Sequence, residues 1–188
     1  MPDDTAATPP EWRSAQHRVR NDLQTLASLL RLSRRRATAE ALLDEFPGWL
    51  NAVAAVYDAH PLWSQDERVR VDGIVQALKA RRDLPIRIHA EEDAPPTVPA
   101  ASCVAVALST LALLAFCAEA AAPGSYVQVY LRGDEESCRI EAVFTARDAE
   151  PAGWPPFGLA MGVEAMDAQS AMGRDGDDTV AVLVVPCR

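Results

Sequence analysis

Cysteine is scarce and scattered: Cys103, Cys117, Cys138 and Cys187 form no C-x-x-C pair. Neither zinc-site spacing nor a disulfide framework is present, and the four read as small core residues. The amino end, MPDDTAATPPEW, is acidic and proline-rich. It lacks the positive start and apolar stretch of a signal peptide, so residues 1–9 read as a disordered leader and the protein as cytoplasmic. The longest apolar run, Cys103 to Ala122, carries Ser109, Thr110 and Glu119 and has no basic flanks. It reads as a buried helix, and no membrane partner is expected. A formal charge of −9 repels phosphate backbones, so nucleic acid is not expected as a partner either. One basic cluster stands apart, Arg31, Arg34, Arg35 and Arg36. It reads either as a local anion-binding patch or as a helix end, where cations meet the negative pole of the macrodipole.

Hydrophobic residues make up 49% of the chain and charged residues 24%, the balance of a globular protein of one or two compact units. Trp12 to Arg36 contains no Gly or Pro and places Val19, Leu23, Leu26 and Leu30 at spacings of four, three and four. That pattern predicts a helix with one apolar stripe. After Ala37 and Thr38, Leu42, Phe46, Trp49, Val53 and Val56 repeat it. Two such helices joined by a tight turn make a hairpin, with a kink or break at Pro47-Gly48. Neither stripe can be covered by a single partner helix, which predicts a homodimer closing a four-helix bundle.

From His60-Pro61-Leu62-Trp63, read as a linker, the composition becomes mixed. A helix over Val71 to Arg81, a strand over Pro85 to His89 and the alanine-rich helix over Pro99 to Ala121 come first. A hairpin of Tyr126 to Leu131 with Arg139 to Thr145 follows, and Thr179 to Val185 closes as a strand. The fold class predicted is α+β, with a helical hairpin over residues 10–64 and helices packed on one face of a mainly antiparallel sheet over 65–188. His60, His89 and the tryptophans Trp12, Trp49, Trp63 and Trp154 read as structural.

On a helical wheel His17 falls with Asn21, Gln24 and Ser28, opposite the apolar stripe, so its imidazole is expected to face water. A lone surface histidine is usually inert. The string around this one reads His17-Arg18-Val19-Arg20-Asn21-Asp22-Leu23-Gln24, then Thr25-Leu26-Ala27-Ser28-Leu29-Leu30-Arg31-Leu32. It resembles the phosphoacceptor helix of a bacterial histidine kinase family, H-R-V-K-N-N-L-Q continuing S-L-L-x-L. Val56-Tyr57-Asp58 stands where relatives read V-H-E. The departures are Arg20 for lysine, Asp22 for the second asparagine and Tyr57 for histidine.

The resemblance implies that His17 accepts a phosphoryl group, that Asn21 assists, and that Arg18, Arg20 and Gln24 face a docking partner. It also implies that residues 65–188 are a Bergerat-type ATPase domain, an α/β sandwich, whose chemistry is degenerate here. Where such domains carry N-E-L-x-x-N-A-x-K-H, this chain reads Ser109-Thr110-Leu111-Ala112-Leu113-Leu114-Ala115-Phe116-Cys117-Ala118. Thr110 replaces the assisting acid and Leu114 the magnesium ligand. Asp148-Ala149-Glu150-Pro151-Ala152-Gly153 stands for the adenine-binding D-x-G-x-G. Phe157-Gly158-Leu159-Ala160-Met161-Gly162-Val163 stands for the glycine-rich G-L-G-L. Leucine offers no oxygen to magnesium. The expected function is therefore histidine phosphotransfer through His17 to or from response-regulator receiver domains, without ATP or any bound cofactor. Any Mg2+ would come from the receiver. A divergent autokinase and a non-catalytic scaffold are the alternatives.

Overall fold

A computed structural model describes residues 10–33, 39–61, 64, 66–90, 95–134, 136–148 and 152–187. Helices α1 (Pro10–Ser33) and α2 (Ala39–Ala59) form the amino-terminal hairpin. The turn at Ala37 and Thr38, Arg34 to Arg36, the leader 1–9, and Leu62 and Trp63 lie outside the described residues. Helix α2 runs through Pro47 without a break.

Strand β1 (Arg68–Arg70) leads into α3 (Val71–Arg82), β2 (Ile86–Ala90) and β3 (Thr97–Pro99). A 3-10 turn, Ala100–Ser102, then opens α4 (Cys103–Ala120). The remaining elements are β4 (Val127–Gly133), β5 (Ser137–Phe144), α5 (Phe157–Met166), β6 (Gln169–Asp175) and β7 (Asp178–Pro186). The main sheet has the order β2-β4-β5-β7-β6, parallel only between β2 and β4. Strands β1 and β3 pair by themselves. The expected α+β arrangement is thus present: a helical hairpin, then helices on one face of a mainly antiparallel sheet.

Strand β5 alternates buried Cys138, Ile140, Ala142 and Phe144 with residues that reach solvent, so one sheet face meets the core and the other stays open. Helix α4 is built mostly from Ala, Leu and Val, with Ser109 and Thr110 buried and Glu119 exposed near its end, and it lies in the centre of that core. By length and composition it could cross a membrane, but its residues are packed as the expected buried helix. All four cysteines are buried and free.

Helix α2 buries Trp49, Ala52, Ala55 and Val56 in the same continuous cluster as α3, α4 and the inner sheet face. A Cβ on Gly73 would stand 3.4 Å from that of Ala59, a measure of how closely α3 approaches α2.

Three expectations need correction. Leu23, assigned to the buried stripe of α1, is 59% exposed, because within one chain α1 meets its neighbours along a narrow seam around Leu26. Trp12, expected to pack, is also 59% exposed. Strands β1, β3 and β6 were not expected. The first two are three residues each, and β6, Gln169-Ser170-Ala171-Met172-Gly173-Arg174-Asp175, is a polar edge strand without the alternation that marks a half-buried one.

Candidate phosphoacceptor site and its neighbouring domain

His17 lies on α1 with its side chain exposed, and Asn21, Gln24 and Ser28 are exposed along the same face. Arg20 is exposed as well. The wheel and the structure therefore agree on which face of α1 meets solvent. A neutral imidazole so placed is a nucleophile near physiological pH, and Asn21, one turn on, is within reach of a group arriving there.

The opposite side of α1 is pinned. Leu26 is buried, and the Tyr57 hydroxyl donates to Asp22 Oδ2 at 2.6 Å across the hairpin. Asp22 and Tyr57 both depart from the motifs that the two helices resemble, and they form one hydrogen bond. Partial burial raises the Asp22 carboxyl above its ordinary range, opposed by the Tyr57 hydroxyl and the Arg18 charge. Burial, then Asp22, pushes the Tyr57 phenol up in turn. Arg18 donates to the carbonyls of Pro61 at 3.3 Å and Ser64 at 3.0 Å. It ties the chain that leaves α2 to the helix that carries His17, one residue from the imidazole. His60, buried beside it, has its pKa lowered by desolvation first and by Arg18 second, with Asp66 pulling the other way.

The sequence therefore brings His17, Asn21, Arg20 and Gln24 together on one open surface, and Arg18 faces the linker. The tie from Arg18 spans 43 to 46 residues of chain, and no local periodicity announces it. The Asp22 and Tyr57 pairing had a signal, since each departs from the motif that its own helix resembles.

In the second region the positions that would serve a nucleotide are filled. Thr110 and Leu114 are fully buried, and the Thr110 hydroxyl has no hydrogen-bond partner among the described residues. Helix α5 lies directly on α4. A Cβ on Gly162 would fall 1.6 Å from Ser109 Oγ, and one on Gly158 would fall 3.1 Å from the Ala112 Cβ. Ser109 turns its hydroxyl back to the Ala105 carbonyl at 2.9 Å. Trp154 packs on Phe116 with ring centroids 5.4 Å apart, near the exposed Asp148 that stands for the adenine-binding aspartate. A buried hydroxyl and a leucine do not fit the acid and the metal ligand that ATP with magnesium requires, and no group can lie between α4 and α5 at Ser109.

A sequence model described as histidine kinase matches residues 15–81. The sensor histidine kinase PdtaS of Mycolicibacterium smegmatis is 40% identical over 86 residues, 41% of this chain and 17% of that protein. PdtaS of Mycobacterium tuberculosis is 38% identical over 87 residues, with the same shares. The chain thus spans 17% of the length of these curated relatives. Among solved structures, the histidine kinase domain of the blue-light activated histidine kinase EL346 from Erythrobacter litoralis superposes with a TM-score of 0.66 at 16% identity. That match covers 94% of this chain and 93% of that one. A longer structure of the same kinase gives a TM-score of 0.73 at 14% identity, over 97% of this chain and 62% of that one. Those two likenesses concern the fold, while the motif around His17 and the matched residues 15–81 concern descent. Residues 15–81 are thus similar in sequence to histidine kinases, and the chain as a whole shares the fold of a histidine kinase domain.

Proposed function

We propose that the protein is a cytoplasmic histidine phosphotransferase that carries a phosphoryl group on His17 to or from the receiver aspartates of response regulators, without ATP. The observation that carries this reading is a contrast within one chain. The phosphoacceptor string keeps its exposed imidazole, while Thr110 and Leu114, the positions of the acid and the metal ligand, are closed inside the core.

In the transfer, a ring nitrogen of His17 attacks the phosphorus of a receiver's aspartyl phosphate. A P–N bond forms, the P–O bond to the aspartate breaks, and the carboxylate leaves with its electron pair. The attack leaves a formal positive charge on the ring, and release of the proton on its other nitrogen to solvent returns the imidazole to neutral; the reverse step takes that proton back and returns the phosphoryl group to a carboxylate. Asn21, Gln24 and Arg20 lie on the approach face and are the residues that would orient the incoming domain; Mg2+ would come with the receiver's acidic pocket. The protein acts as a homodimer. Leu23, Leu43 and Leu50 of the hairpin are 59%, 73% and 48% exposed, and a second hairpin would cover such surface in a four-helix bundle.

The test is incubation of the full chain with a cognate receiver domain carrying radiolabelled aspartyl phosphate. Label is expected on the wild-type chain and not on His17→Ala. No transfer from any cognate receiver sinks the reading, and calorimetric binding of magnesium-ATP at micromolar affinity would replace it with an autokinase.

A further inference from the structure

Between the hairpin and the second region lies a cleft of about 310 Å³ that the phosphotransfer reading does not use. One wall is α2, with Asp44, Glu45 and Trp49; the other is α4, with Leu111, Phe116 and Glu119. It opens on a different face of α4 from Thr110 and Leu114, which point into the core. Its volume is at the lower end of the range for small-molecule sites and too small for a folded segment. We propose that this cleft binds a small amphipathic organic cation, an amine or guanidine carried on an aromatic or branched aliphatic body.

Shape and charge both select that class. The floor is apolar and aromatic, with the buried Trp49 and Leu111 flanked by Phe116 and Phe157, a surface that rewards an apolar body. The carboxylates Asp44, Glu45 and Glu119 outnumber the lone guanidinium, Arg82, three to one. Among the described residues none of these three carboxylates has a hydrogen bond or ion pair. All three stand exposed at the rim, and the desolvation that Glu45 meets there raises its carboxyl above the ordinary range. A neutral apolar guest would cover Glu45 further without neutralising it, and an anion would be repelled by all three acids. A cation with a greasy body satisfies floor and rim together. Because α2 carries one wall and α4 the other, the guest would also bridge the two regions.

The experiment uses the full chain and three probes of one shape: 4-phenylbutylammonium, 4-phenylbutanol and 4-phenylbutyrate, titrated by calorimetry and by ligand-observed NMR. The amine is expected to bind about tenfold more tightly than the alcohol, and the carboxylate not at all. The double variant Glu45→Gln, Glu119→Gln keeps the shape and is expected to erase the amine's advantage, while Glu164→Gln, on the exposed side of α5, leaves it intact. Thermal unfolding of each variant checks that the fold is retained. Equal binding of all three probes, an advantage that survives the double variant, or no amine binding up to about 10 mM overturns the proposal. None of these measurements involves His17, so the outcome stands apart from that of the phosphotransfer assay.

Discussion

The closure of α5 on α4 makes Gly162→Ala the sharpest test of the filled crevice. The new methyl would sit 1.6 Å from Ser109 Oγ, 3.0 Å from Ser109 Cβ and 3.5 Å from the Ala105 carbonyl oxygen. Rotating the Ser109 hydroxyl away relieves the first contact but breaks its 2.9 Å bond to Ala105, and the Cβ contact persists. Overpacking of this kind costs about 1–3 kcal/mol, and a buried hydroxyl left without a partner about 1–3 more. Alanine returns about 1 kcal/mol of helix propensity. The net loss is about 1–5 kcal/mol, or a fall in Tm of roughly 2–20 °C for a chain of this size, read by circular dichroism. Ser109→Gly in the same chain removes both the hydroxyl and the Cβ and should recover much of the loss, whereas Ser109→Ala should recover less. A Gly162→Ala protein that melts within about 2 °C of wild type would show that α4 and α5 are not in this contact, and the reason for excluding a bound group between them would fall.

Burial raises the thiols of Cys103, Cys117 and Cys138 from an ordinary 9.0 to about 12. Their stabilising contribution is therefore whole below about pH 9 and is lost as pH rises towards 12; with three thiols the slope approaches about 4 kcal/mol per pH unit, and urea midpoints under reducing conditions that stay flat from pH 8 to 11 would contradict it. Tyr57→Phe removes the donor to Asp22; we expect a loss of about 1–2 kcal/mol and a further rise of the Asp22 carboxyl, followed by carbon-detected NMR titration. Leu23→Glu combined with Leu43→Glu places charge on the exposed hairpin surface and should convert dimer to monomer in sedimentation at unchanged helix content. A chain that is monomeric before the substitution refutes the bundle.

What the sequence disclosed and what it hid divide along the range of the interactions. The apolar periodicity of α1 and α2, the alternation in β4 and β5, the apolar run of β7 and the mostly apolar α4 are local patterns, and each element appears where its pattern lies. His17 faces solvent because its angular position on α1 is a property of the helix alone. Leu23 follows the same rule of spacing, but its exposure depends on what lies beside α1, and the spacing carries no information on that. The Arg18 bonds to the Pro61 and Ser64 carbonyls and the cleft between α2 and α4 likewise exist only once distant segments meet. Gly162 could be seen as one glycine of a degenerate glycine-rich segment. That it admits Ser109 follows only from the crossing of two helices.

The sheet domain has a packing role that does not depend on nucleotide chemistry. Helix α2 buries Trp49, Ala52, Ala55 and Val56 against α3 and α4, so removing the domain would expose that surface and leave the hairpin without a core. The domain is therefore needed by the hairpin whether or not it binds a nucleotide. Once only the wall is needed, polar groups at the crevice become a cost, because a buried carboxylate or amide without a ligand is left desolvated and unpaired. Leucine at 114 removes that cost altogether, and threonine at 110 reduces it to one hydroxyl. On the neighbouring face of α4, α5 closes through Gly158 on Ala112 and through Gly162 on Ser109. Helix α1 has the opposite balance. Beyond Leu26 it is held by the Tyr57 bond to Asp22 and by Arg18, which fix its rotation while covering little of its surface. The helix that bears His17 is thus oriented by its own chain and left open to a second one.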